Sequence, residues 1–277
     1  MQINPEHRLT AAVIEQLGQC PDRRLQQISG ALIRHLHDFI REVELQPEEW
    51  LGAIRFLTRT GQACDDKRQE FVLLSDLLGA SMLVDQMANR KPAGATASSV
   101  LGPFYVEGAP ERANGADLAA LPGPRVHVSG TVRDLAGAPI ASALLDVWQT
   151  APNGLYHVQD KDQPEHHLCG KLRSRADGSY DFITLEPVSY PIPTDGPAGQ
   201  YLQAMGRHPY RPAHLHFIVT APGYQPLVTQ LFTAGDPYLD SDAVFGVKPE
   251  LVIEYQRQAD GNMGVAFDFV LEPVQAR

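Results

Sequence analysis

Arg125-Val126-His127-Val128-Ser129-Gly130-Thr131-Val132-Arg133-Asp134 is the stretch on which the fold turns. Val126, Val128, Gly130 and Val132 alternate with polar residues, the period of two expected of a half-buried strand. Residues 134–137 then supply a turn. Toward the C-terminus the pattern returns at Leu144, Asp146 and Trp148, and strands are expected over 180–183, 214–219 and 227–232, with a closing strand over 265–271. Further turn signals fall at 152–154, 177–178 and 195–196. Short strands, frequent turns and no intervening helix imply an antiparallel β-sandwich.

Upstream of that stretch, Pro92, Pro103, Pro110, Pro122 and Pro124 mark residues 91–124 as loop-like. Earlier still the period changes. Leu25, Ile28, Leu32, Leu36, Phe39, Ile40 and Val43 recur at steps of three and four, as on one helix face. Pro47 suits the first turn of a second helix continued by Trp50, Ile54 and Leu57. A third carries Phe71, Leu74, Leu78, Met82 and Met87 and should end before Pro92. The expected architecture is mainly β: a helical N-terminal domain over 1–95, then a β-sandwich domain over 96–277.

With 277 residues, 43% of them hydrophobic, the chain can bury a substantial core. A net charge of −10 disfavours nucleic acid and anionic membrane surfaces as partners. No apolar run reaches the ~18 residues of a spanning helix, and the opening residues lack the basic and apolar segments of a signal peptide. Cys20, Cys64 and Cys169 are odd in number and far apart, so no disulfide framework is indicated. A cytoplasmic location is the expectation.

The chemistry concentrates in Arg211-Pro212-Ala213-His214-Leu215-His216-Phe217. Residues two apart on a strand share a side, so His214 and His216 can serve one metal while Leu215 and Phe217 face a packed layer. Two surface histidines on a half-exposed strand would give the same pattern. A structural zinc site wants several thiolates, and the chain has no Cys-x-x-Cys; Cys169 reads as a small core residue. A cupin-type site wants a glutamate soon after the second histidine, where residues 218–222 are Ile-Val-Thr-Ala-Pro. Tyrosines are plentiful instead: Tyr156, Tyr180, Tyr190, Tyr201, Tyr210 and Tyr224. Tyrosinate is a hard oxygen donor suited to Fe(III), whose charge favours ionisation of a phenol with an ordinary pKa of about 10. Spacing alone does not separate a ligand tyrosine from a core tyrosine.

Four runs together resemble the intradiol ring-cleavage dioxygenases: Leu101-Gly102-Pro103-Phe104-Tyr105, Asn153-Gly154-Leu155-Tyr156, Tyr190-Pro191-Ile192-Pro193-Thr194-Asp195-Gly196-Pro197 and the Arg211–Phe217 segment. The resemblance covers essentially the whole chain. It implies one non-haem Fe(III) per chain held by Tyr156, Tyr190, His214 and His216, with Tyr190, Arg211 and Gln230 acting in catalysis. Arg211 would lie near the bound diol, Gln230 beside the iron ligands, and Tyr190 would take up a substrate proton. The implied reaction inserts both atoms of O2 between the two hydroxyl-bearing carbons of an aromatic diol. No nicotinamide or flavin is required, and the chain carries no Rossmann fingerprint.

Ser99-Val100-Leu101-Gly102-Pro103-Phe104-Tyr105-Val106-Glu107 looks more like the hydroxyquinol-cleaving branch than the catechol or chlorocatechol branch. The product implied is 3-hydroxy-cis,cis-muconate, which tautomerises to maleylacetate. Matching pocket positions are Leu73, Asp76, Val100, Leu101, Gly102, Pro103, Phe104, Ile192, Pro193, Arg211 and Val244. Asp76 could accept a hydrogen bond from a third ring hydroxyl, or be a capping or surface carboxylate. The resemblance further implies a homodimer through the N-terminal helices, with a phospholipid at the interface. From a different class, Val128–Ile140 and Ala176–Phe182 also resemble transthyretin-like binding modules, which share the sandwich without catalysis.

Overall fold

The computed structural model describes residues 5–65, 68–259 and 261–274. The chain divides into two compact units, with the boundary after Arg59. The first contains α1 (Pro5–Gln16), α2 (Arg23–Glu42) and most of α3 (Pro47–Gln62). Asp22 caps α2 by accepting the backbone N–H groups of Arg24 and Leu25 at 2.8 and 3.0 Å. Thr10 of α1 is buried, and its hydroxyl lies 2.9 Å from His37 and 3.0 Å from Arg41 of α2. The stripe at Leu25, Ile28, Leu32, Leu36 and Phe39 is helical as expected, yet all five are exposed, Leu32 by 64%. No single helix among the described residues is long and apolar enough to cross a membrane.

The second unit opens with α4 (Glu70–Leu77) and α5 (Ala80–Ala88), where the sequence predicts one helix. They meet at a bend of 79°. Gly79 takes φ +71, the left-handed conformation that ends a helix without a Cβ penalty. Apolar periodicity continues across such a one-residue break and so conceals it.

Two main sheets and one small ladder follow, built from β1 (Arg125–Asp134), β2 (Leu144–Trp148), β3 (Cys169–Arg173), β4 (Ser179–Leu185), β5 (Tyr190–Pro191), β6 (Tyr210–Arg211), β7 (His214–Thr220), β8 (Leu227–Thr233), β9 (Val252–Ile253), β10 (Gln256–Arg257), β11 (Met263–Ala266) and β12 (Phe269–Leu271). One sheet runs β3-β2-β7-β8-β9; the other runs β10-β11-β1-β12, with β4 also on β1; β5 and β6 form a separate small ladder. The sheets are mixed rather than purely antiparallel. β1 pairs parallel to β11 and β12, and β8 parallel to β9. The long excursion over 234–251 gives the chain room to re-enter in the same direction, as parallel pairing requires. The expected closing strand is likewise split into β11 and β12. At the break Asp268 accepts the Thr131 N–H and hydroxyl at 2.8 and 2.7 Å. A helix unforeseen in the sequence, α6 (Pro197–Ala204), interrupts the strand region. Pro197 suits its first turn, and the Glu70 carboxylate accepts the Ala198 N–H at 2.9 Å.

The core lies between the sheets. Val126, Val128, Val132 and Phe182 meet Leu145, Val147, Leu215, Phe217 and Leu231, all almost fully buried. Each large side chain contributes about 1.5–3 kcal/mol by leaving water. Committing Leu215 and Phe217 to this layer turns the even-numbered residues of β7 to the opposite face.

Candidate metal centre

His214 and His216 occupy that opposite face, and both are buried, which removes the surface-histidine alternative. Tyr190 arrives on β5, paired in register with Arg211 of β6. Tyr156 comes from the turn after β2. Gly154 lets that turn approach, because a Cβ there would stand 3.3 Å from Tyr190 Cβ. Gly102, at φ +78, does the same for the 99–107 segment: its Cβ would lie 3.3 Å from His216 Cε1.

Four heteroatoms converge. Tyr156 Oη is 3.0 Å from Tyr190 Oη and 2.9 Å from His216 Nε2, and the two Nε2 atoms are 3.0 Å apart. His214 Nδ1 is 2.6 Å from the Pro212 carbonyl. A carbonyl only accepts, so Nδ1 holds the proton and the Nε2 lone pair faces the centre. Burial, then the neighbouring Arg211 charge, pushes the His214 pKa down to about 3. Burial, then His214, drives that of His216 well below its ordinary value. Both imidazoles are therefore neutral and able to donate lone pairs. Burial, then Tyr190, raises the Tyr156 phenol far above its usual range. Ionising it requires a compensating cation.

This N2O2 set fits a metal ion. Two donors at right angles about an ion with bonds of ~2.0–2.1 Å stand roughly 2.9 Å apart, the separation seen here. Among the described residues no group of three or more His, Cys, Asp and Glu side chains could hold a metal; at this cluster the phenol oxygens are what complete a set of four donors.

Arg211 borders the set. Its Nη1 is 3.1 Å from His214 Nε2, its Nη2 donates to Gln230 Oε1 at 2.7 Å, and its Nε donates to Asp242 at 3.1 Å. Burial opposes the guanidinium charge, but Asp242, Tyr190 and Tyr156 together outweigh burial and Arg211 stays cationic. Gln230 in turn donates to the Val100 carbonyl at 2.5 Å. Phe104 stacks on Tyr156 with ring centroids 4.8 Å apart. Val244 N–H reaches Asp242 at 3.2 Å, and Ile192 N–H reaches Pro209 O at 3.0 Å. Asp76 is buried on α4. Burial raises its pKa, partly offset by a Ser81 hydrogen bond and the Arg211 charge. Leu73 is buried one turn earlier, Pro193 is half-buried, and Leu101 and Pro103 are exposed; among the described residues none of these four hydrogen-bonds to the heteroatom cluster or stacks on it. The other tyrosines go elsewhere. Tyr180 donates to the Phe267 carbonyl at 2.7 Å, and Tyr210 stacks on Tyr238. Cys169 is a buried thiol pushed up to about 12 by burial, then by Asp146.

Residues 100–273 match the family described as "Dioxygenase", and residues 22–96 match "Catechol dioxygenase N terminus". The chain belongs to the intradiol ring-cleavage dioxygenases. It is 52% identical to a 6-chlorohydroxyquinol 1,2-dioxygenase of Cupriavidus pinatubonensis, over 99% of each chain. It is 48% identical to a hydroxyquinol 1,2-dioxygenase of Rhizobium sp., covering 95% of this chain and 90% of the relative. A crystal structure of hydroxyquinol 1,2-dioxygenase from Pseudomonas putida DLL-E4 superimposes with a TM-score of 0.94 at 48% identity, covering 97% of this chain and 99% of that one. Membership in this dioxygenase family over nearly the full length sets aside the transthyretin-like binding module.

Two residues around the cluster carry no mark in the sequence. Asp242 lies 31 positions from the arginine it holds. Trp148 shares the strand alternation of β2, but its place against His216 depends on a strand register that no local pattern encodes.

Proposed function

We propose that this intradiol dioxygenase acts on hydroxyquinol (benzene-1,2,4-triol), yielding 3-hydroxy-cis,cis-muconate and hence maleylacetate. The observation that carries the proposal is the buried convergence of two phenol oxygens with two imidazole nitrogens. The relatives named for hydroxyquinol support the substrate. Tyr156, Tyr190, His214 and His216 would hold one non-haem Fe(III) per chain. Ferric iron held there would supply a Lewis acid that the two adjacent diol oxygens could chelate, making the ring reactive toward O2.

The chain's own groups supply the rest. Tyr190 stands on the short β5–β6 ladder outside the main sheets, and its phenol oxygen would receive a substrate hydroxyl proton. Arg211 keeps a fixed positive charge beside the reacting oxygens in a low-dielectric pocket, where it needs no reorganisation. Gln230 accepts from the guanidinium and is itself fixed by donating to the Val100 carbonyl. Asp76 would accept the third ring hydroxyl, with Leu73, Val100, Leu101, Gly102, Pro103, Phe104, Ile192, Pro193 and Val244 forming the surrounding wall.

The exposed stripe on α2 supports a homodimer through the N-terminal helices with a phospholipid between them. Light scattering should return a dimer mass and solvent extraction a lipid; a lipid-free monomer at micromolar concentration refutes both. For the activity, purified protein should contain about one iron per chain, absorb in the visible through tyrosinate charge transfer, and convert hydroxyquinol in preference to catechol when both are offered. Full zinc occupancy without iron, or a preference for catechol, overturns the respective part of the proposal.

A further inference from the structure

His214 and His216 share one strand face yet are held differently. His214 Nδ1 is anchored on the Pro212 carbonyl. His216 Nδ1 is buried and meets no hydrogen-bond partner among the described residues. A ligating histidine ordinarily has its second nitrogen anchored, and that bond fixes the ring's orientation. The His216 ring has another neighbour. Trp148 stands opposite it in the β2–β7 register, and its indole lies nearly flat on the imidazole, with centroids 4.7 Å apart and planes 10° apart. Trp148 is 3% exposed, and its Nε1 also finds no partner among the described residues. A buried indole usually satisfies that N–H; here packing, not a side-chain hydrogen bond among the described residues, places the ring. Tyr105 packs on the indole at 4.9 Å and is itself tied by its hydroxyl to Asp146 at 2.9 Å.

We infer that Trp148 is a positioning residue of the metal centre: its indole face sets the plane of the His216 imidazole, in place of the hydrogen bond that sets His214. The inference rests on the proposed ligand role of His216. An imidazole that gives its lone pair to a cation becomes electron-poor, and an indole face favours that state over the free ring. The stack also restrains ring rotation before any ion arrives, so less order has to be imposed on binding.

The test uses the full chain, freed of metal, as wild type, Trp148→Phe and Trp148→Met. Melting of each metal-free protein establishes folding, and ferric iron is then titrated against a competing chelator. Outer-shell partners of metal-ligating histidines typically govern 10–100-fold in affinity, so Trp148→Phe should stay within about threefold of wild type and Trp148→Met should lose tenfold or more. The ferric paramagnetic resonance of Trp148→Met should spread into several species. A folded Trp148→Met with wild-type affinity and one ferric species overturns the inference, as do equal losses in both variants, which would make side-chain volume the cause. Wild-type protein that binds no iron overturns the metal proposal instead. Should Trp148→Met not fold, 15N-imidazole NMR of wild-type protein loaded with diamagnetic Ga(III) decides. The His216 Nδ1–H proton should lie well upfield of its His214 counterpart; matching downfield shifts would show a hydrogen bond holding His216 and refute the role of the indole.

Discussion

Asp242→Asn interrogates how the Arg211 charge is held. Both side chains of the pair are at most 4% exposed. Asp242 Oδ1 accepts from Arg211 Nε at 3.1 Å and from Val244 N–H at 3.2 Å, while Oδ2 accepts from Arg211 Nη2 at 3.2 Å and from Gly246 N–H at 2.9 Å. Asparagine keeps the shape but turns one of these oxygens into an NH2 donor facing other donors, and it leaves a buried guanidinium unneutralised. Removing one partner of a buried ion pair costs about 3–5 kcal/mol. Gln230 still accepts from Arg211 at 2.7 Å, so the lower end applies. A loss of about 3 kcal/mol, roughly a hundredfold in the folded-to-unfolded ratio, is expected from urea denaturation of the metal-free protein at pH 7. The pH dependence has a definite sign. Burial pushes the Asp242 carboxyl up, but Arg211, joined by His214 and the Val244 N–H, more than offsets burial and leaves it below its ordinary 3.8. The stabilisation is therefore complete above pH ~4 and is lost as pH falls through the lower folded-state value. The gap between wild type and Asp242→Asn should stay constant from pH 5 to 7 and close in stronger acid. A difference under about 0.5 kcal/mol at pH 7, the scale of an ordinary surface change, would show that Arg211 does not depend on this carboxylate.

Three further outcomes are expected. Asp76→Ala should lower kcat/KM for hydroxyquinol by about tenfold or more, since a charge-assisted hydrogen bond is worth roughly 1.5–3 kcal/mol, while catechol turnover and iron content stay unchanged; equal losses on both substrates would make Asp76 a structural helix residue. His214→Ala and His216→Ala should each abolish retained iron on metal analysis, because each removes one of four proposed ligands; retention of a full equivalent contradicts that set. Glu70→Gln should destabilise the protein by about 1–2 kcal/mol in thermal melts, because the buried carboxylate joins Arg68 at 2.8 Å to the first turn of α6; an unchanged midpoint would leave the α6 cap without energetic weight.

What the sequence discloses and what it hides follow from the range of the interactions concerned. Val126 to Val132 and Leu215 to Phe217 announce strands because alternation within one segment is a local consequence of facing a core. For the same reason the pairing of His214 with His216 on one face needs only the period of a strand. Tyr156 and Tyr190 are another matter: they become neighbours of those histidines through the turn at Gly154 and the β5–β6 ladder, contacts spanning 34 and 60 positions. Composition and spacing do not distinguish them from Tyr180, which sits in the core; only the family resemblance does. Helix breaks and strand directions were hidden for related reasons. A single left-handed residue at Gly79 turns the chain without altering the apolar rhythm on either side, and the direction of β9 is set by where the 234–251 excursion docks. Asp242 and Trp148 mark the far end of this scale. Neither belongs to a motif, yet one neutralises the buried arginine and the other lies flat on the imidazole that lacks an anchor. The two histidines can be recognised by residue type and strand period, whereas the groups that hold them in place acquire their roles only when distant strands come into register.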